Sequence, residues 1–185
     1  MNIKKIAAIT ALLICCAFTG SDDQIMWDKN RKLTWDDFLG EVPPYSPHAG
    51  MTYSGFHYQS IFINDTLNAS VIAHFNKYQS WVVREKANDY VLNHEQRHFD
   101  LSEVYARMFK QYISKWDGKY NINTYVSEGS DAYLKQLNNM QDLYDKETDH
   151  SINKPYQEFW NKKIDSLLNA YSKYENSLVK VSRHK

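Results

Sequence analysis

The chain has 185 residues, with 22 Lys and Arg balancing 22 Asp and Glu, so its formal net charge is zero. No basic field is available to hold phosphates, which argues against nucleic acid as a partner. Aromatics make up 15% of the sequence, with 14 Tyr and 5 Trp, against only 6 Gly and 4 Pro. That composition excludes a disordered chain and leaves room for a single packed domain over residues 21–185.

Residues 1–20 begin with Lys4 and Lys5, continue through an apolar run from Ile6 to Ile14 and end in small residues. This is the layout of a signal peptide, and the run is too short for a comfortable membrane span. Both cysteines, Cys15 and Cys16, follow the apolar run directly, which leaves no thiol downstream. Their placement resembles a lipoprotein signal, in which the lipidated Cys15 or Cys16 would tether the chain to a membrane. Export to the periplasm or cell envelope is expected in either case.

Residues 27–42 mix aromatics and charges without a period, and Pro43, Pro44 and Pro47 exclude a helix, so this stretch reads as a connection. Residues 49–63 and 67–77 are rich in Tyr, Phe, Ile and Val and flank the turn-like Asn64-Asp65-Thr66. A β-hairpin is expected, with Leu67, Ala69, Val71, Ala73 and Phe75 on one apolar face and His74 at the surface. Beyond Trp81 the period changes to three or four. Val91, His94, His98, Leu101, Tyr105, Met108 and Tyr112 trace one face of a long helix over residues 84–115. A second helix is expected over residues 130–148, striped by Tyr133, Leu137, Met140 and Tyr144. A loop over 149–154 leads to a third helix, with Pro155 in its first turn and a basic, frayed tail after it. Trp81, Trp116 and Trp160 read as packing residues.

The chemistry lies in His94-Glu95-Gln96-Arg97-His98, an H-E-x-x-H pentapeptide. On a helix the i, i+4 spacing sets both imidazoles on one face, about 6 Å apart at the backbone, where they can grip one Zn2+ ion. Glu95 points about 100° away from His94, beside the metal rather than on it. There it can act as general base on zinc-bound water and return the proton to the leaving amine. Two imidazoles a turn apart in an apolar stripe need several polar partners if no metal binds them.

A hydrolytic zinc site takes three protein ligands and one open position. Asp100 and Glu103 lie about 160° and 140° around a continuous helix from His98, so neither reaches the same ion. The third ligand is therefore expected downstream, within Tyr144-Asp145-Lys146-Glu147-Thr148-Asp149-His150. Glu147 extends the apolar stripe of the second helix, and His150 sits just past its end.

Several motifs together resemble a bacterial family of secreted zinc-dependent proteases, itself a predicted activity. They are Trp35-Asp36-Asp37-Phe38-Leu39-Gly40, Ser80-Trp81, His94-Glu95-Gln96-Arg97-His98-Phe99-Asp100, Tyr105-Ala106-Arg107, Tyr144-Asp145, Thr148, His150, Gln157 and Trp160. They span most of the chain after the signal. The family's usual Gly after the downstream His is Ser151 here. The resemblance favours His150 as third metal ligand, ahead of Glu147 and Asp145, with Asp145 and Thr148 as groups that orient a ligand. It implies a zincin-like α+β fold, in which a small antiparallel hairpin or sheet is laid on the active-site helix and two further helices. The expected function is zinc-dependent hydrolysis of peptide or related amide bonds outside the cytoplasm. The rivals are a catalytically silent zinc module and a lipid-tethered interaction domain without metal.

Overall fold

A computed structural model of the protein describes residues 22–182, and the expected signal or lipoprotein segment, with Cys15 and Cys16, lies outside the described residues. The fold is α+β. The described residues form strands β1 (Gln24–Met26), β2 (Gly50–Met51), β3 (Ser54–Ile63), β4 (Thr66–Asn76), β5 (Trp81–Val82) and β6 (Leu178–Ser182). Their α-helices are α1 (Asp89–Ser114), α2 (Ile122–Thr148) and α3 (Lys154–Ala170).

The hairpin of β3 and β4 turns at Asn64 and Asp65, both at positive φ, and pairs Ser54 with Phe75 through to Ile63 with Thr66. Asn and Asp tolerate that conformation better than other side-chain-bearing residues, which explains why the turn falls there. Strand β4 is the centre of the sheet: β3 lies on one side, while β1 and β6 share the other. The alternation read from the sequence is realised, since Leu67, Ala69, Val71, Ala73 and Phe75 are all buried. They face α1, where Phe56 stacks on Phe109 and Phe75 meets Phe99.

Helix α1 starts five residues later than the periodicity suggests. Asn88 has an extended backbone, and its side chain accepts hydrogen bonds from the Tyr90 and Val91 amides, so it caps the helix. Residues 84–86 form only a short 3-10 turn. Helix α2 starts eight residues earlier than expected, capped by Asn121. Its early turns cross α1 at Gly129, where a Cβ would lie 2.3 Å from Tyr112 Cε1. The glycine that weakens the helical pattern is the residue that lets the two helices approach. The segment read as a frayed tail forms β6, in which Val179 and Val181 are buried against β4. His74, read as a surface residue, is 7% exposed and stacks on His57 with ring centroids 3.7 Å apart.

Candidate metal centre

Helix α1 offers both histidines of the pentapeptide to the same space. Their rings meet edge to face, and the two Nε2 atoms are 3.3 Å apart. Helix α2 crosses this face and brings Asp145 with it. Asp145 Oδ1 lies 3.1 Å from His94 Nε2 and 2.9 Å from His98 Nε2. His94, His98 and Asp145 are the one metal-competent cluster among the described residues.

The outer nitrogens fix what the inner ones present. His94 Nδ1 is 2.9 Å from Gln157 Oε1, and Gln157 Nε2 donates to Tyr144 Oη at 2.7 Å and to Asn161 Oδ1 at 2.9 Å. That network orients the Gln157 amide with its oxygen toward His94 Nδ1, so Nδ1 bears a proton and a neutral His94 ring presents its Nε2 lone pair inward. Gln141 Oε1 receives His98 Nδ1 in the same way. Tyr144 forms the floor: its ring stacks on His94 at 4.6 Å and meets His98 edge-on at 4.9 Å, and its hydroxyl donates to the His94 carbonyl.

Three acceptor atoms thus converge, and either a proton on His98 or a cation at their centre would satisfy them. Burial alone would pull the His98 imidazole down, yet the hydrogen bond and charge of Asp145, with Glu95 and Gln141 adding to them, hold it above the ordinary histidine value. Burial would raise the Asp145 carboxyl, but the two histidines outweigh it and keep it well below the usual carboxylate range. The spacing also suits a metal. Ligand atoms bound at about 2.0–2.1 Å in a tetrahedron are about 3.3–3.4 Å apart, and the three edges here are 2.9, 3.1 and 3.3 Å.

Glu95 is 4% exposed and has a buried oxygen, Oε2, without a hydrogen-bond partner. Its Oε1 faces β2, where a Cβ at Gly50 would come within 3.2 Å. A buried carboxylate oxygen without a donor is costly unless a proton-bearing molecule reaches it.

The other expected site residues are placed differently. His150 is just outside the triad: its Nδ1 is 3.5 Å from Asp145 Oδ1, its side chain is 44% exposed, and its ring packs 4.0 Å from that of His48. The geometry thus puts Asp145, not His150, at the third corner. The physical reason is the end of α2: Asp149, His150 and Ser151 all take positive φ, and the His150 amide folds back onto the Asp145 carbonyl. This turn leaves the imidazole beside Asp145 rather than among the three converging atoms. Glu147 accepts the Trp160 Nε1 hydrogen at 2.8 Å, which commits it to α3. Thr148 is buried and donates to the Tyr144 carbonyl, holding the last turn of α2. Asp100 accepts from Trp27 and Gln96, and Glu103 from Arg107, so both serve the opposite side of α1.

Gln141 was not singled out from the sequence, although it stands one helical turn before Asp145 on the same face, which was the available signal. His48 was also missed as a neighbour of the site, because it lies in a proline-rich loop with no periodicity to orient it.

The chain matches no known family model, no curated protein and no solved structure. No helix among the described residues is long and apolar enough to cross a membrane.

Proposed function

We propose that the protein is a zinc-dependent metallopeptidase that hydrolyses peptide or related amide bonds outside the cytoplasm. The observation that carries this is the convergence of His94 Nε2, His98 Nε2 and Asp145 Oδ1 within 3.3 Å of one another, both imidazoles being tied back by glutamine side chains. His94, His98 and Asp145 would hold the ion. Bound Zn2+ would acidify a water molecule and polarise the scissile carbonyl.

The chain's own part in the reaction follows from positions already described. Glu95, with Oε2 unpartnered, accepts the proton of the attacking water and later delivers it to the leaving nitrogen. Gln157 and Gln141 keep the histidine protons on Nδ1 and hold the rings in register. His150, half-exposed beside Asp145, is placed to donate a hydrogen bond to oxygen developing negative charge at the open side. Strand β2, paired among the described residues only with β5, runs past Glu95 and can take an extended peptide on its free edge. Substrate would then lie along the general base rather than across it.

The test is digestion of a broad peptide library by the zinc-loaded protein. Cleavage that disappears in Glu95→Gln while zinc is retained supports the proposal. Retained zinc with no cleavage by the unaltered chain would favour a silent zinc module, and a chain that never takes up zinc would favour an interaction domain.

A further inference from the structure

On the side of α1 opposite the histidines, Lys110 is buried with only 1% of its surface exposed. Its Nζ comes no closer to a counter-charge than 3.9 Å, from Glu103 Oε1, which is beyond hydrogen-bond reach. Glu103 is already engaged by Arg107 Nε at 2.7 Å, and Arg107 is fixed in turn by the Leu168 carbonyl and by stacking over Trp27. Among the described residues, nothing else takes up the ammonium donors. Burial pulls the Lys110 ammonium down and pushes the Glu103 carboxyl up, so both charges are held at a cost.

Lys110 and Glu103 line a cavity of about 300 Å³ that also borders Trp27, Ile72, Lys29 and Glu175. Its lining includes Asp28, Lys29 and Asn30, which are exposed. The charges around it cancel: Lys29 pairs with Glu175 at 3.0 Å and Arg107 with Glu103 at 2.7 Å, each carboxylate keeping further acceptor positions, while Lys110 has no partner within hydrogen-bond reach among the described residues and Asp28 balances it. A wall of this kind gives a net anion or a net cation no overall attraction. It does match a molecule that carries both signs a few ångströms apart, with a small apolar part to lie on Trp27 and Ile72.

We infer that this cavity is a binding site for a free aliphatic α-amino acid, whose carboxylate takes the unused donors of Lys110 and whose ammonium faces the carboxylates of Glu103 and Glu175. The volume suits a ligand of that size. The site stands apart from the metal centre and does not depend on the peptidase proposal.

Calorimetric titration of the full chain with glycine, L-alanine, L-valine and L-leucine tests it. Saturable binding of at least one is expected, with affinity in the millimolar range. The N-acetylated and the amidated forms of that amino acid, each lacking one charge, should bind at least about tenfold more weakly, as should the Lys110→Met, Glu103→Gln double variant. Asn30→Trp, which adds bulk to the exposed part of the lining and leaves the buried charges in place, should weaken binding comparably while melting as the unaltered chain does. The inference is overturned if none of the amino acids saturates below about 50 mM. It is equally overturned if both capped forms bind as well as the parent, or if binding is undiminished in Asn30→Trp.

Discussion

Asp145 Oδ1 stands 2.9 Å from His98 Nε2 across 47 residues of sequence. That contact converts a helical histidine pair into a three-cornered site, and it depends on α2 crossing α1 at this level. In consequence, Asp145→Ala should weaken zinc binding by tenfold or more in competition with a chelator, because two protein ligands remain. His150→Ala should change it by less than about threefold. The opposite order would return His150 to the third corner.

Glu95→Gln keeps the size of the side chain and removes its basicity. Hydrolysis should fall by a factor of about 10²–10⁴, the usual range for a positioned general base. Zinc stoichiometry by atomic spectroscopy should not change. Loss of the metal together with activity would instead make Glu95 part of the ligand set.

Gln157 touches no ion in this scheme, yet it should matter to metal affinity. Gln157→Leu removes the acceptor for His94 Nδ1 and leaves Tyr144 Oη without its donor. Zinc affinity should drop about 10- to 100-fold. Gln157→Glu, which restores an acceptor at the same point, should recover much of it. Equal losses in both variants would show that packing alone is responsible.

Gly129→Ala tests the crossing of α1 and α2 itself. The added Cβ would meet Tyr112 Cε1 at 2.3 Å, so the aromatic ring or the helix must shift. The gain in helix propensity, about 1 kcal/mol, is outweighed by overpacking of about 1–3 kcal/mol. Urea denaturation should show a net loss of stability, and a gain would place Tyr112 elsewhere.

The His57 and His74 pair predicts an acid-sensitive sheet. Burial, with His57 adding repulsion, lowers the His74 imidazole to about 4, and burial lowers His57 as well. An unfolded His74 would titrate near 6.5. Between these values the unfolded chain binds more protons, so stability rises with pH across that window and falls on acidification. The change attributable to His74 is at most about 3 kcal/mol. Chemical denaturation from pH 6.5 down to pH 4 should show a shallower fall in His74→Gln than in the unaltered chain.

Much of the fold is legible in residues 54–76 and 89–114, where a period of two gives way to one of three or four. Strand β6 was hidden because Lys180 and Ser182 surround its two valines with the composition of a tail, and pairing with β4 decides the matter. Helix α2 extends further than its stripe of Tyr133, Leu137, Met140 and Tyr144 indicates, because its first turns are set by the Asn121 cap and by the close approach of Gly129 to Tyr112. For the metal centre, His94, Glu95 and His98 follow from local spacing. The choice among Asp145, Glu147 and His150 does not, because it depends on which way the last turn of α2 faces. Trp160 engages Glu147, the three successive left-handed residues leave His150 beside Asp145, and Asp145 is the one of the three whose oxygen converges with both histidines.

The most direct measurement is metal content and turnover on the same purified preparation, for the unaltered chain and for Asp145→Ala. The metallopeptidase account predicts about one zinc per unaltered chain together with cleavage of a peptide library, and loss of both in the variant at submicromolar free zinc. An unaltered chain that carries no zinc after equilibration with the ion, or one that cleaves equally well after the metal is stripped, would contradict it.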